Sequence, residues 1–578
     1  MKLKYNLIAI ALLGFSFSSC SDFLEQNPQT DLSENDFYKT ADDILSAVNG
    51  VYSSLQEGDI YGNWYVFGEI PSDNTRNQLS GSVTTQNEFD QFYIDTQNSM
   101  IANFWKAAYK TINRTNTVLG RIDGINIDAG LANRYKLECK FIRALMYFNL
   151  VRVYGDVPLV LKEISISESY EILREPKENV YNQIITDLKE AQGLPVSYPT
   201  AEDGRATQGA AKALLADVYM TLHKYAEAET ILAEIINSGR YSLLENTPGS
   251  LNIDGYKDVF SPVNHNSKEG IFEIQFLKGG YNEGSNYANN FAPENSGTNV
   301  VAVGGTGGNN VPEMDIYNAY EEGDLRRDFS MSLGYYDNRK NNEWVESRYV
   351  CKFMDVPYQN NDASNNYPVI RYADVILMYA EALNQNGKTA EACKYLNMTR
   401  RRGFGYQTTE TSPVDLQTTD KAQFALMVEQ ERRVELAAEG FRLRDLRRWC
   451  ALDKMQNYQV EGFNLWAENY KRYATPDAGI NGQNFDKALT VIDLKEAGTE
   501  GANVSAKSDG DYLLPYRVIS SNIAYNGYNW NPNRYLFPIA FDHFRLTTEV
   551  EGSGDYTSSP IYQNPGWKIE TNSLPEGE

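Results

Sequence analysis

The chain has 578 residues and a formal net charge of −24, which argues against a nucleic-acid partner, because gripping a phosphate backbone takes clustered Lys and Arg. Its three histidines and five cysteines stand apart, with no C-x-x-C pair and no His at ligand spacing, so a zinc centre or a Ser-His-Asp triad has little to draw on. The excess is aromatic: 40 Tyr, 24 Phe and 7 Trp, beside many Asn and Gly, supply flat apolar faces with polar edges.

Met1-Lys2-Leu3-Lys4 carries two positive charges, a mostly apolar run follows from Leu7 to Phe17, and Ser18-Ser19-Cys20 closes it. This order predicts a secretory signal over residues 1–19. The run is too short to span a bilayer, which takes ~20 apolar residues. Small residues directly before Cys20 predict a lipoprotein site at which the Cys20 thiol is acylated. Each buried CH₂ of the acyl chains then contributes about 0.8 kcal/mol to holding the protein on a membrane it does not cross.

Helical patterning begins with Asp36–Tyr52, where Phe37, Ile44, Val48 and Val51 are spaced for one face, and returns from Phe104 to Ile122. Leu137, Phe141, Ala144, Leu145, Phe148 and Val151 follow i, i+4, i+7, i+8, i+11 spacing, which predicts a helix with one apolar face. Tyr154-Gly155-Asp156-Val157-Pro158 supplies its stop. Two later stretches echo each other: Lys224-Tyr225-Ala226-Glu227-Ala228-Glu229-Thr230-Ile231-Leu232 aligns with Lys388-Thr389-Ala390-Glu391-Ala392-Cys393-Lys394-Tyr395-Leu396. Upstream, Ala216 and Tyr219 match Ala380 and Leu383 at the same offset. Small and large residues at fixed separation look like the tetratricopeptide helix-turn-helix unit. Ala216 and Ala380 are then expected at buried helix crossings.

Between the two echoes, Leu244 to about Tyr367 is rich in Gly, Asn, Tyr and Pro, and the chain turns loop-like again after Tyr458. Loops of this length are usually functional. Gly304-Gly305-Thr306-Gly307-Gly308 lacks the following Lys-Ser/Thr of a phosphate loop and reads as a flexible loop. Arg400-Arg401-Arg402 and the arginines of 444–448 lie beside Glu429, Glu431, Glu435, Glu439 and Asp445, so internal ion pairing accounts for them. No H-E-x-x-H, G-x-S-x-G or calcium-loop motif is present, and no catalytic residue, metal ligand or cofactor is assigned.

Several long segments together resemble the SusD/RagB family of Bacteroidetes outer-membrane lipoproteins. They are Ser19-Cys20 with Asp22-Phe23-Leu24-Glu25, Asp36-Phe37-Tyr38, Phe141–Val151 running into Tyr154–Pro158, Ile370–Ala382, Glu429–Leu436, Leu536-Phe537-Pro538-Ile539 and Gln563-Asn564-Pro565-Gly566-Trp567. The resemblance implies a mostly α fold: a tetratricopeptide-like repeat core of four helix pairs with long loop-rich insertions. One such domain would cover residues 20–578, with its core over about 36–240 and 366–455 and its loop-rich regions over about 244–367 and 458–578. It also implies a SusC-like TonB-dependent barrel as partner, an oligosaccharide or polysaccharide ligand, no catalytic activity, and a surface-exposed, lipid-anchored place on the outer membrane. Some members of the family handle peptides instead, and the segments quoted belong to the scaffold.

Aromatic rings stack on the apolar face of a sugar while Asn, Asp and Arg bond its hydroxyls. On that chemistry Trp64, Tyr65, Asn74 and Arg76 are ligand candidates in the first loop, with scaffold packing as the competing role for Trp64 and Tyr65. In the long insert the candidates are Tyr281, Tyr287, Tyr335, Tyr336 and Trp344.

Overall fold

The computed structural model describes residues 37–77, 84–90, 94–169, 172–249 and 251–449, together with the strand pair Gly479–Ile480 and Gln483–Asn484. Cys20 and the signal segment, and the C-terminal segments quoted above, lie outside these residues. Helices dominate: α1 (Ala41–Ser54), α2 (Ser99–Arg121), α3 (Ala129–Tyr154), α4 (Lys177–Ala191), α5 (Gln208–Thr221), α6 (Tyr225–Asn237), α7 (Tyr372–Gln385), α8 (Thr389–Gly403), α9 (Lys421–Glu435) and the short α10 (Arg442–Arg448).

Local chemistry sets where they start. Thr40 and Asp43 form a reciprocal capping box on α1, the Asp43 amide donating to Thr40 Oγ1 and the Thr40 amide to Asp43, which satisfies two amides the helix leaves open. Asn98 and Asp128 cap α2 and α3 by accepting from first-turn amides. From Leu137 to Val151, α3 is buried on nearly all sides, where the spacing predicted a single buried face. The polar positions are inside because they are paired: Arg143 makes two 2.8 Å bonds to Asp187, and Glu138 accepts from Arg205 at 2.8 Å. A buried charge is tolerated when it is matched this way.

The two echoing stretches are two helix pairs, α5–α6 and α7–α8. Ala216 and Ala380 are both fully buried, as the repeat requires. The pairs lie far apart in sequence yet stack directly. Asn386 donates to the Tyr225 carbonyl at 3.1 Å and to Glu229 at 2.8 Å, and Lys388 pairs with Glu229 at 2.5 Å, tying the turn of the second pair to the start of α6.

The insertion between α6 and α7 is closed at its base. Strand β1 (Gly270–Ile274) runs out and β2 (Tyr367–Arg371) returns antiparallel, with Phe272 opposite Ile370 and Ile274 opposite Tyr367; β2 leads straight into α7. Insert residues Tyr287, Phe291, Phe353 and Tyr367 belong to the same buried cluster as the helices, so the insertion is part of one core. Its glycine-rich stretch is pinned: Asn289 donates to the carbonyls of Val303 and Gly305 at 2.9 and 2.8 Å, and the Gly305 amide donates to Asn360 at 2.7 Å. These side-chain clamps replace the flexibility expected from composition.

The arginine-rich segments turn inward. Arg371 bonds Glu269, Glu435 and Glu439 at 3.0, 2.7 and 2.7 Å. Arg402 bonds Glu269 and Glu435, Arg326 reaches Glu431 and Glu435, and Lys352 reaches Glu439. Asp445 in turn takes Arg432 and Arg448, whose other partners are Asp374 and Glu381. The segment Glu429–Leu436 is therefore a structural node joining β2, α8, α9 and the insert.

Candidate functional site

The nine candidate side chains divide sharply by exposure. Trp64, Tyr65, Asn74, Arg76, Tyr287 and Tyr335 are buried, whereas Tyr281, Tyr336 and Trp344 are 67%, 59% and 45% exposed.

The buried group is explained by packing. Trp64 lies 5.7 Å from Phe104 and 5.9 Å from Phe67. Tyr65 meets Phe291 edge-on at 5.0 Å, and Tyr287 stacks on Tyr367 at 5.5 Å and on Phe353 at 5.3 Å. Their polar tips find partners inside: the Tyr287 hydroxyl donates to the Tyr61 carbonyl, and the Tyr367 hydroxyl donates to the Glu439 carbonyl at 2.6 Å. Burial pushes the Tyr61 phenol up to about 12 and Tyr65 higher still, which keeps both neutral hydrogen-bonding groups.

Asn74 and its neighbours clamp the first loop onto α9 and α10. Asn74 donates to Glu69 at 2.9 Å and accepts from Arg433 at 2.9 Å, while Asp73 takes two 2.7 Å bonds from Arg442. Burial drives the Glu69 carboxyl up, and three donors (Asn74 and the amides of Ala438 and Gly440) hold it in place. Arg76 sits in a two-residue strand, Thr75–Arg76, paired with Val311–Pro312, with Glu313 at 3.7 Å. The first loop and the long insert are thus brought together. Their meeting point is an interior seam.

The exposed group stands on the insert. Met331–Asp337 and Glu343–Val350 form an antiparallel hairpin in which Tyr336 pairs with Trp344 and Tyr335 with Val345. Side chains alternate between the faces of a strand, so neighbouring tyrosines part company: Tyr335 turns inward and Tyr336 outward. The Tyr336 and Trp344 rings meet edge-to-face at 5.0 Å and 68°. Gly334 is required beside them, since a Cβ there would lie 2.8 Å from the Trp344 ring. The hairpin tip is fixed by Arg339, which bonds Asp337 at 2.8 Å and the Asn295 carbonyl at 2.7 Å, and by Asn299 on Asp337 at 2.9 Å.

A second exposed tyrosine, Tyr281, follows Gly279-Gly280. Both glycine amides donate to Asp362, at 3.2 and 2.7 Å, and this anchors Tyr281 beside the 355–364 loop. There Tyr358, 65% exposed, lies so that a Cβ on Gly280 would be 3.3 Å from its ring. The sequence did not single out Tyr358; its only signal was a tyrosine after proline in a run of Asn and Gln. The Tyr336–Trp344 pair, and Tyr281 and Tyr358 singly, present rings to solvent on backbone that side chains hold in place. Among the described residues no group of three or more His, Cys, Asp and Glu is arranged to hold a metal ion.

Two family models match the chain: one described as "SusD family" over residues 321–567, the other as "Starch-binding associating with outer membrane" over residues 22–220. A SusD-like protein of Formosa agariphila is 29% identical over 518 residues, covering 81% of this chain and 94% of that protein. Among solved structures, a SusD homolog from Bacteroides thetaiotaomicron aligns with a TM-score of 0.69 at 23% identity, covering 93% of this chain and 99% of that one. A laminarin-binding SusD-like protein aligns with a TM-score of 0.62 at 22% identity, covering 92% and 100%.

Proposed function

We propose, from the premise that this chain belongs to the SusD/RagB family, that it captures oligosaccharide or polysaccharide at the cell surface and passes it to a SusC-like TonB-dependent barrel. The observation that carries this reading is the open Tyr336–Trp344 ring pair on the hairpin of the insertion, with Tyr281 and Tyr358 each exposed beside a second clamped turn. Rings fixed in this way stack on the apolar face of a sugar without first losing the entropy of a mobile loop. Ligand would be held by this stacking and by hydrogen bonds to hydroxyls, and released unchanged, with no chemistry done on it. Cys20 would carry the lipid that keeps the protein on the outer membrane.

Native affinity electrophoresis of the protein from Ser21 to Glu578 against a panel of polysaccharides tests this. The panel includes laminarin, the ligand named for one structural neighbour. Retardation in at least one glycan gel, with the polymer undegraded on incubation and the retardation lost in Trp344→Ala, is the expected result. No retardation in any gel, with binding found in peptide mixtures, would replace glycan capture by peptide capture. Shortening of the polymer would make the protein an enzyme.

A further inference from the structure

On the helical side of the molecule, away from these exposed rings in sequence, a cavity of about 420 Å³ opens where the end of α3, the start of α4, the turn between α5 and α6, and α10 come together. That volume falls within the ~300–1,000 Å³ of small-molecule sites. In a chain with a net charge of −24 its wall is basic: seven Lys and Arg side chains line it against three Asp and Glu.

Part of that charge is already matched. Arg432 and Arg448 face the cavity but bond Asp374, Glu381 and Asp445. Arg152 and Arg444 differ. They converge on one carboxylate, Asp217, at 3.4 and 3.9 Å, longer than the ~2.7–2.9 Å of a well-made charge-assisted bond. Their remaining bonds go to neutral acceptors: Arg152 to the Phe148 carbonyl at 3.1 Å and Asn149 at 2.6 Å, Arg444 to the Gly440 carbonyl at 3.1 Å. Burial, and then the nearby Arg444 guanidinium, push Arg152 down to about 10. Arg326, Arg371 and Arg448, despite their own burial, are pushed up by the carboxylates against them. Lys177, Glu178 and Lys224 also line the cavity and are exposed.

We infer that this cavity binds a small oxyanion, a carboxylate or sulfate group carried on a ligand of about one sugar ring, gripped between Arg152 and Arg444 in competition with Asp217. Two guanidiniums sharing one distant carboxylate present spare donors in the fork geometry that matches such groups. Val151, Leu222 and Phe441 give the same wall its apolar part, with the Arg444 guanidinium lying 4.2 Å over the Phe441 ring. This site does not depend on the exposed aromatic rings or on the glycan reading.

Titration calorimetry at low salt on the protein from Ser21 to Glu578, with galacturonate, inorganic sulfate and neutral galactose, tests it. Saturable binding of galacturonate, absent for galactose and weakened about tenfold or more by Arg444→Gln or Arg152→Gln, is expected, with Trp344→Ala without effect. Sulfate competing with galacturonate would assign the site to the oxyanion alone; sulfate failing to compete would assign it to the acidic sugar. Because either arginine variant could unfold the protein, Asp217→Asn provides the opposite arm: removing the competing carboxylate should tighten binding several-fold. No saturable heat with either anion, equal affinity for galactose, or an Asp217→Asn protein with unchanged affinity would overturn the inference.

Discussion

His223 and Gly387 occupy the same position in two turns of the repeated helix pair, both in the left-handed region with φ of 58° and 81°. Each turn closes with the same two bonds: Lys224 N to Tyr219 O and Lys388 N to Leu383 O at 2.8 Å, then His223 N to Met220 O and Gly387 N to Asn384 O at 3.1 Å. This is the Schellman arrangement, in which glycine is the least strained residue. Gly387→Ala should therefore destabilise the protein by about 1 kcal/mol. His223→Gly should recover a smaller amount, because it also removes the contact of the imidazole with the Arg448 carbonyl. Urea denaturation of both variants checks this; a neutral Gly387→Ala would mean that the turn is not limiting.

Arg371 is fully buried against three carboxylates. Such a pair adds little net stability over an apolar core of the same shape, yet removing one partner leaves uncompensated charge that costs about 3–5 kcal/mol. Arg371→Met should lower stability by that amount. Arg327→Met, whose partner Asp328 is exposed, should change it by less than about 1 kcal/mol. Comparable losses for the two would refute the central role of the Glu269–Glu435–Glu439 node.

The helical half of this fold was legible because turn chemistry leaves letters behind: the Lys, Ala and Leu that recur after His223 and Gly387 mark two turns with identical hydrogen bonds. The aromatic half was legible only in outline. Trp64, Tyr287 and Trp344 look alike in sequence, each an aromatic among Asn and Gly. What separates them is whether a distant element covers the ring, as Tyr367 and Phe353 cover Tyr287, while Trp344 meets Tyr336 of its own hairpin and stays 45% exposed. Tyr335 and Tyr336 differ by the pleat of one strand, whose phase the sequence did not fix. Tyr358 was invisible because its place beside Gly280 depends on Asp362 joining two loops.

The contrast between covered and open rings predicts two kinds of variant. Trp344→Ala and Tyr336→Ala should weaken glycan binding roughly tenfold or more each, about 1.4 kcal/mol, while melting like the parent. Trp64→Ala should lose about 3–5 kcal/mol of stability through the cavity left between Phe67 and Phe104. Affinity gels beside thermal melts separate the two. If Trp64→Ala kept full stability and lost binding, the face would lie at the seam and not on the hairpin.

Acid should act on this protein in two opposed stages. Burial raises Glu69, Glu431 and Asp374 above the ordinary carboxyl range. A group raised in the native state takes up its proton more readily there, so stability should climb as pH falls from 7 toward about 4.5. Asp73 and Asp445 run the other way. Burial alone would raise them, but Arg433 and Arg442 hold Asp73 at about 2, and Arg432 and Arg448 hold Asp445 at about 2. Each adds about 2 kcal/mol that is present above the unfolded value near 3.8 and lost as pH falls through the native one. Thermal melts across pH 7 to 2 should therefore show a maximum in mild acid and a steep fall between about 4 and 2, shallower in Asp73→Asn. A melting temperature that is flat between 4 and 2 would mean that these two carboxylates are not held by their arginines in solution.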